Sequence, residues 1–393
     1  MSVAQVWDPF DEAFIQDPWP AYRRLREEYP VYFNEERNFY ALSRYDDVVE
    51  ANRDWQTYSS AEGVDLDNTG SIFFGDGNIV ESDPPSHDML RSVLKDHLTP
   101  TFIRNQEEDV IRRVDGLVEE LRDQRHVDFA TAFATRLPLG VINDLLGVDP
   151  DNRDWVYQRF LDMFVRESGS EAIPESALQA AREVRGMLAD ELALRRKTPR
   201  GDLLTTISQG EIDGRPLTEL EQVGMSTLVI AAGISTTKNL LTNIFWYLAQ
   251  DPDLRAEVQA ASAAPVNAIE EFLRYDGPIQ NSTRVSTRDV ELHGTHIPKG
   301  SRVTLVYGSA NRDANRFDDP DRIDIGRRIG KHMAFGGGIH LCIGAPLARL
   351  EAKVVLQRAL PSFGAFRLAG KPERTLKMNE RGFETLPLEF DPA

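Results

Sequence analysis

The single cysteine of the chain, Cys342, lies in its most glycine-rich segment, which reads HMAFGGGIHLCIGAPLAR from His332 to Arg349. Glycine lets the backbone adopt positive φ and approach a ligand closely. A helical pattern begins after Gly344, so we expect the thiol just before a helix N-terminus, where free N–H groups favour a thiolate. Such a thiolate could act as a nucleophile together with His340. The alternative interpretation is a buried, inert thiol.

Other common motifs do not fit this segment. Gly336-x-Gly338 lacks the third glycine of a dinucleotide fingerprint, because Leu341 stands there. Lys331 is followed by His332, where a phosphate loop requires Ser or Thr. A single cysteine also excludes an internal disulfide and every zinc site built from two or four cysteines.

The composition is that of an ordinary globular protein with an acidic balance. The 393 residues carry a formal charge of −18, and 41% of them are apolar. This charge argues against sequence-blind nucleic-acid binding and against docking on anionic membranes. Apolar runs such as Leu228–Ile234 are far shorter than the roughly 18 residues of a membrane-spanning helix. The start of the chain also lacks the pattern of a signal peptide. We therefore expect a cytoplasmic protein with no nucleic-acid or membrane partner.

The clearest predicted element is a long helix in the middle of the chain. Thr218 and Glu221 form a capping-box pattern, and the helical run continues to Gln250, before Pro252. That length is about 32 residues, or roughly 48 Å. Because Met225–Ile234 is apolar on most sides, the helix should cross the centre of a large core.

The middle of this helix carries small and hydroxylated residues. Ala232, Gly233 and Thr236 share one face, and Ser235 precedes Thr236. The face should therefore be a shallow groove with a hydroxyl at its edge. Close helix packing is one interpretation of the groove. The other is that a flat or small ligand lies against it.

The rest of the chain predicts one mostly helical domain with a small β-rich part. Thr101–Arg122 and Ser176–Arg196 have helical patterns, whereas Phe39–Leu42, Arg302–Tyr307 and Leu386–Phe390 have strand patterns. No Gly/Ser-rich or Pro-rich linker divides the chain, and no internal repeat is evident. The expected fold class is mainly α (α+β), with one domain over residues 1–393.

The cysteine segment resembles a known family. Phe335-x-x-Gly338-x-His340-x-Cys342-x-Gly344 matches the haem-binding signature of cytochromes P450 at every fixed position. The resemblance implies a cytochrome P450 domain in which the Cys342 thiolate is the axial ligand of haem b. A thiolate ligand pushes electron density onto iron and favours O–O cleavage. Phe335 and Gly344 are then expected to contact the haem.

Further residues match the family in the expected order. The pattern His87-x-x-x-Arg91, with Arg284 and His340, resembles the set of side chains that binds the haem propionates. Two buried carboxylates require such partners. Ala232 falls in the part of the central helix that is similar to the family's oxygen-binding groove.

A buried ion network is also implied. Glu271-x-x-Arg274 resembles the family's Glu-x-x-Arg pair, and Arg327 stands where the third member of that network is expected. By itself, an i,i+3 pair is more often exposed and weak.

The resemblance implies a monooxygenase that uses O2 to hydroxylate or O-demethylate a small apolar or aromatic organic substrate. Gly233, Ser235 and Thr236 would be its catalytic residues, and Thr236 would hydrogen-bond oxygen during its activation. The family usually has Asp or Glu where Ser235 stands, and serine can pass protons only through a water chain. We favour an alternative water route. The other interpretations are slow activation with peroxide leakage, and direct use of hydrogen peroxide. Changing Ser235 to Asp should alter the rate and coupling of NADH use.

Candidate pocket residues follow from looser similarity and are mostly apolar, as ligand pockets are. They are Phe73, Phe74, Ile79, Phe164, Val229, Ile279, Ser282 and Phe383. Parts of the chain after Pro278 resemble bacterial members that oxidise small para-substituted aromatic acids. No arginine occurs in Gly70–Ile79 to hold a carboxylate, so a neutral molecule is at least as good a candidate.

The resemblance also implies electron transfer from a ferredoxin and its NAD(P)H-dependent reductase to a monomeric enzyme. A basic docking patch is expected to contain Arg104, Arg112, Arg113, Lys331 and Arg349. Two other classes remain open. One is a haem-thiolate sensor without turnover, and the other is a cysteine-nucleophile enzyme without haem.

Overall fold

A computed structural model describes residues 5–68, 72–73, 75–167, 170 and 172–391. Phe74, one of the predicted pocket residues, lies outside the described residues. Among the residues described, no helix combines the length and the apolar character needed to cross a bilayer.

Helices form most of the regular structure, which confirms the mainly α prediction. They are α1 (Glu12–Gln16), α2 (Trp19–Glu28), α3 (Tyr45–Arg53), α4 (Ser86–Leu94), α5 (Pro100–Arg104), α6 (Glu107–Leu121), α7 (Arg136–Leu146), α8 (Arg153–Met163), α9 (Glu175–Lys197), α10 (Leu203–Ser208), α11 (Glu219–Gln250), α12 (Pro252–Ala260), α13 (Val266–Asp276), α14 (Tyr307–Ala310), α15 (Ala345–Val354) and α16 (Leu360–Phe363). The predicted helix Thr101–Arg122 is two helices, because the Asn105 N–H donates to the Phe102 carbonyl and closes α5.

The strands are short and are spread along the chain. They are β1 (Val31–Asn34), β2 (Phe39–Leu42), β3 (Tyr58–Ser59), β4 (His126–Asp128), β5 (Glu211–Ile212), β6 (Arg215–Pro216), β7 (Ser282–Ser286), β8 (Val290–Leu292), β9 (Thr295–Ile297), β10 (Arg302–Leu305), β11 (Phe366–Leu368), β12 (Glu373–Arg374), β13 (Phe383–Thr385) and β14 (Pro387–Phe390). The predicted strand Arg302–Tyr307 ends at Leu305, because Tyr307 begins α14.

The largest sheet has five strands in the order β1-β2-β10-β7-β3. β10 pairs parallel with β2, with Val303 opposite Tyr40, and antiparallel with β7, with Val303 opposite Arg284. A three-stranded sheet has the order β11-β14-β4, and the remaining strands form two-stranded pairs. These sheets flank the helical body, which agrees with the predicted small β-rich part.

Helix α11 confirms the predicted central helix at both ends. The Thr218 hydroxyl accepts from the Glu221 N–H at 3.2 Å, and the Glu221 carboxylate accepts from the Thr218 N–H at 2.7 Å. The helix ends at Gln250 and packs against α7, α9, α13 and α15. Most of its side chains are buried, as expected for a core helix.

The predicted ion network of Glu271, Arg274 and Arg327 is present, with Glu271 and Arg274 buried and Arg327 partly buried. Arg274 makes two hydrogen bonds of 2.8 Å to the Glu271 carboxylate, and Arg327 Nε lies 3.2 Å from Glu271 Oε1. Arg274 also donates to the Asn311 carbonyl. The network therefore fastens α13 to the segment that leads into the cysteine loop.

Candidate active site

A cavity of about 380 Å³ lies between α11, the cysteine segment and the C-terminal loop. Its wall is mostly apolar, with polar groups at separate points. Most of the predicted site residues line it, although they come from six separate segments of the chain. Those residues are Ile79, Arg91, Phe164, Val229, Ala232, Gly233, Ser235, Thr236, Ile279, Ser282, Arg284, Phe335, His340, Cys342 and Gly344.

Cys342 lies in a tight loop that ends at the N-terminus of α15. Its N–H donates to the Phe335 carbonyl at 3.0 Å. Gly338 has φ +61°, and a side chain there would collide with the Asn52 carbonyl, so glycine is required at this position. The thiol opens into the cavity. The loop therefore presents a sulfur atom to whatever the cavity holds.

The electrostatics of Cys342 show two opposing effects. Burial raises the pKa of the thiol. Hydrogen bonds from the backbone of Gly344 and Ala345 lower this pKa, and so does the charge of the nearby Arg91. These N–H groups belong to the start of α15 and favour a charged sulfur. A thiolate in this dry site still requires a cationic partner. No group of three His, Cys, Asp or Glu side chains within the described ranges could bind a bare metal ion.

Four donor side chains gather beside the loop. Arg91 Nη2 donates to the Leu341 carbonyl at 2.7 Å, and Arg284 Nη1 donates to Ser282 Oγ at 2.7 Å. The rings of His87 and His340 lie 4.7 Å apart. Both Nε2 atoms are buried and lack a hydrogen-bond partner in the described part of the chain.

His340 is neutral in this environment. Burial, followed by the charges of Arg284, His87 and Arg91, lowers its pKa to about 2. Unpartnered buried nitrogen atoms next to two guanidinium groups are costly unless an acceptor reaches them. This arrangement suits a ligand with carboxylate groups.

The face of α11 that is open to the cavity is the predicted groove. The Thr236 hydroxyl donates back to the Ala232 carbonyl at 2.7 Å. A Cβ on Gly233 would lie 2.4 Å from Ile142 Cδ1, so α7 packs closely at this point. The small residues therefore agree with both interpretations made from the sequence. They allow a neighbouring helix to pack closely, and they also border a cavity that can hold a ligand.

Ser235 has a partner that the sequence did not reveal. Its hydroxyl lies 3.2 Å from Glu380 Oε1 and 3.3 Å from the Ala231 carbonyl. Glu380 belongs to the loop between β12 and β13 and lines the same cavity. No sequence motif marks this contact, which joins residues 145 positions apart.

Three predicted residues lie behind the cavity wall. Phe73 is fully buried against Phe164, with ring centroids 6.2 Å apart. Phe383 is buried 5.4 Å from the Trp246 ring and under the Arg374 guanidinium, because β13 turns this side chain towards the core. Phe73 and Phe383 therefore do not line the cavity, which corrects the expected pocket. The third residue behind the wall is His87, whose buried ring contacts His340.

Sequence reasoning also missed several charged or polar residues of the wall. They are Asp65, Asp67, Arg166, Tyr307, Glu351, Lys377 and Glu380. Arg166 brings an arginine to the cavity from outside Gly70–Ile79. No sequence signal marks Glu351, because it stands between Arg349 and Lys353 in an ordinary helical pattern.

Comparisons with known proteins agree with this geometry. The sequence profile of the cytochrome P450 family matches residues 265–390. Putative cytochrome P450 123 of Mycobacterium tuberculosis is 37% identical over 98% of this chain and 96% of the relative. Linalool 8-monooxygenase of Pseudomonas putida is 31% identical over 91% of this chain and 92% of the relative. The crystal structure of CYP109E1 from Bacillus megaterium in complex with testosterone superposes with a TM-score of 0.86 at 27% identity, covering 95% and 98% of the two chains.

The chain belongs to the cytochrome P450 family and is a cytochrome P450 monooxygenase. Members of this family bind haem with a cysteine thiolate as the axial ligand. The site fits this group on two counts. A lone sulfur opens into the cavity, and unpartnered imidazole nitrogens lie beside guanidinium groups where carboxylates would require partners.

Proposed function

We propose that this protein inserts one oxygen atom from O2 into a small apolar organic substrate, with Cys342 as the axial haem ligand. The observation that carries the proposal is that the chain's single cysteine opens into the cavity that α11 lines with Thr236. Bound haem supplies the activation and transfer of oxygen, and the protein supplies position and protons. The reaction is a hydroxylation or an O-demethylation.

Side chains on both sides of the cysteine loop would hold the haem. Arg91, Arg284, His87 and His340 would bind its carboxylates, since charge-assisted bonds are the strong ones in a dry site. Phe335, Gly344 and Ala232 would lie against its faces. Thr236 would donate its hydroxyl hydrogen towards reacting oxygen, a hydrogen that now bonds to the Ala232 carbonyl.

The apolar part of the wall supports an apolar substrate. Ile79, Phe164, Val229 and Ile279 line the cavity, with Ser282 as a small polar contact. One relative is named for the oxidation of linalool, and the CYP109E1 structure contains testosterone. Arg166 and Lys377 also line the cavity, but Lys377 is paired with Glu380 at 2.7 Å. The wall therefore favours an apolar substrate over an anionic one.

Electrons are proposed to come from a ferredoxin and its NAD(P)H-dependent reductase. Residues 1–393 are proposed to act as one cytochrome P450 domain, as a monomer in the cytoplasm. A peroxide-dependent oxygenase is the second candidate function, because Ser235 occupies the position where the family usually has an acid.

Two measurements on the haem-loaded protein test the proposal. A panel of small aromatic molecules and terpenes should contain members that shift the haem spin state on binding in the cavity. With a surrogate ferredoxin and reductase, NADH and O2, the member with the largest shift should yield an oxygenated product. Spin-state shifts without product would instead favour a sensor. Product formed only with added hydrogen peroxide would favour the second candidate.

A further inference from the structure

Oxygen activation by a monooxygenase consumes protons, and acidic side chains in the cavity wall are the groups that could supply them. The described acids that line the cavity are Asp65, Asp67, Glu351 and Glu380. Glu351 belongs to α15, on the side of Cys342. Only Glu380 is hydrogen-bonded to α11, through the residue next to Thr236. Within the described part of the chain, Glu380 is therefore the acid best placed to serve Thr236.

Glu380 is held in place by three donors. Lys377 Nζ lies 2.7 Å from Oε1, Asn239 Nδ2 lies 2.8 Å from Oε2, and the Ser235 hydroxyl lies 3.2 Å from Oε1. The Glu380 side chain is only 11% exposed. A carboxylate with this many charged and polar donors has one fixed position rather than a mobile surface position.

The backbone around Glu380 is fastened to its surroundings. The Arg381 N–H donates to the Pro278 carbonyl at 2.8 Å, and the Gln280 N–H donates to the Asn379 carbonyl at 2.8 Å. A Cβ on Gly382 would lie 2.1 Å from Asn239 Oδ1, so glycine allows the loop to approach α11 this closely. The contact between Glu380 and Ser235 is thus built into the fold.

Charged groups of its own loop and of neighbouring segments face Glu380. Lys377 of the same loop pairs with it, and Arg166 and Asp65 interact with it electrostatically. Asp65 is half-buried and accepts from Asn379 Nδ2 at 2.6 Å. Burial and the nearby acids raise the pKa of Asp65 to about 7. Proton exchange with this edge of the cavity is therefore feasible near neutral pH.

We propose that Glu380 is the proton-relay residue of the oxygen-activation site, in place of the acid that α11 lacks at Ser235. Glu380 passes a proton through the Ser235 hydroxyl to the side of Thr236 and recovers one from solvent. This inference rests on the proposed function. The reaction is R–H + O2 + 2 e⁻ + 2 H⁺ → R–OH + H2O, with both electrons from the ferredoxin. If proton delivery through this relay fails, the same two electrons reduce O2 with two protons to H2O2, and no product forms.

The first test compares Glu380→Gln with the wild-type haem-loaded protein. The assay uses a surrogate ferredoxin and reductase and the aromatic molecule with the largest spin-state shift. Product formation should fall about 100-fold, the lower end of the range for positioned proton-transfer groups. The H2O2 released per NADH should rise, and the solvent isotope effect should increase. Glu384→Gln is the matched control, because Glu384 also pairs with a residue of α11, Lys238, but is about half exposed. It should behave like wild type.

Two further variants separate a relay from a structural role. Ser235→Ala keeps Glu380 but removes the hydroxyl, and it should lose coupling as Glu380→Gln does. Ser235→Asp combined with Glu380→Gln should restore coupling, whereas Ser235→Asp alone places two carboxylates together and should lower it. The C–O stretch of the reduced CO complex, which reports charge near the ligand without turnover, should shift in Glu380→Gln and shift back in the double variant.

The outcomes distinguish the relay from the proposed function itself. If wild type forms no oxygenated product, the proposed function fails. If wild type turns over while Glu380→Gln and Ser235→Ala couple NADH to product as wild type does, the relay is overturned. Loss of activity in Glu380→Gln that the relocated Asp does not rescue, with an unchanged C–O stretch, would also overturn it and assign Glu380 a structural role.

Discussion

At the scale of single residues, Glu351 carries an unusual electrostatic cost. Both of its carboxylate oxygens are buried without a hydrogen-bond partner among the residues described. Burial raises its pKa to about 8, and only the charge of Arg113 opposes this effect. Glu351 is therefore protonated in the folded protein at neutral pH and ionised in the unfolded chain.

This difference makes stability depend on pH. From the ordinary pKa of 4.5 up to about 8, the folded state binds more protons than the unfolded state, so stability falls as pH rises. Glu351→Gln replaces the titrating carboxyl with an amide, so the variant lacks this pH dependence. In urea unfolding at pH 5 and pH 8, we expect the variant to gain stability relative to wild type at the higher pH, by several kcal/mol, because each tenfold change in proton affinity is worth about 1.4 kcal/mol.

A glutamate on the surface supplies the control for this measurement. Glu27 is exposed, and Glu27→Gln should give a difference from wild type that is similar at both pH values. Equal pH dependence of wild type and Glu351→Gln would show that the Glu351 carboxyl is not buried as described.

Residue-scale prediction from the sequence succeeded where the pattern was local. The glycines around Cys342 and the start of a helix just after it are local features of the sequence, and the structure has that helix start. The thiol lines the cavity. Glu380 could not be found in this way, because its significance depends on Ser235, 145 residues away. Phe383 was proposed from similarity alone, and its position behind the wall depends on packing against Arg374 and against Trp246, which is distant in sequence.

At the scale of elements, the contact between α11 and the loop from β12 to β13 depends on one glycine. Gly382→Ala would place a methyl group 2.1 Å from Asn239 Oδ1. Forcing atoms into a packed site costs about 1–3 kcal/mol. We expect a lower urea midpoint, and lower coupling of NADH to product because Glu380 shifts.

A glycine in open space is the matched control. Gly186 lies within α9 with nothing near its Cβ position, so Gly186→Ala should stabilise the protein by up to about 1 kcal/mol. An unchanged urea midpoint for Gly382→Ala would show that the loop lies farther from α11 than described.

Elements differ in how far the sequence determines them. Helix α11 was predicted at both ends because a capping box and a following proline act locally. The break between α5 and α6 was missed, since Asn105 and Gln106 fit a helical pattern as well as a turn. The two- and three-residue strands near the C-terminus depend on partners distant in sequence.

At the scale of the whole molecule, the predicted basic patch is largely neutralised. Arg112 pairs with Asp109, Arg113 with Asp144, and Arg349 with Glu270, the last at 2.6 Å. Lys331 is exposed. Net charge and the paired arginines therefore leave little steering field, and the exposed Arg104 and Lys331 carry more weight than the sequence suggested.

If a ferredoxin docks at this patch, its reduction of the haem should slow as salt increases, because screening weakens attraction between surface charges. Lys331→Glu should lower the rate about tenfold at low salt, the lower end of the range for electrostatic steering. Stopped-flow reduction under CO measures it. Lys197→Glu changes the same charge outside the patch and should have a smaller effect. Equal rates for wild type and Lys331→Glu at all salt concentrations would exclude docking at Lys331.

Ligation of haem iron by Cys342 is tested most directly by the absorption spectrum of the reduced protein under CO. A thiolate ligand gives the red-shifted band expected of the family. We predict this band in haem-loaded wild type and its loss in Cys342→Ala that remains folded by circular dichroism. A folded, haem-loaded wild type without the band, or a Cys342→Ala variant that retains it, would contradict the assignment.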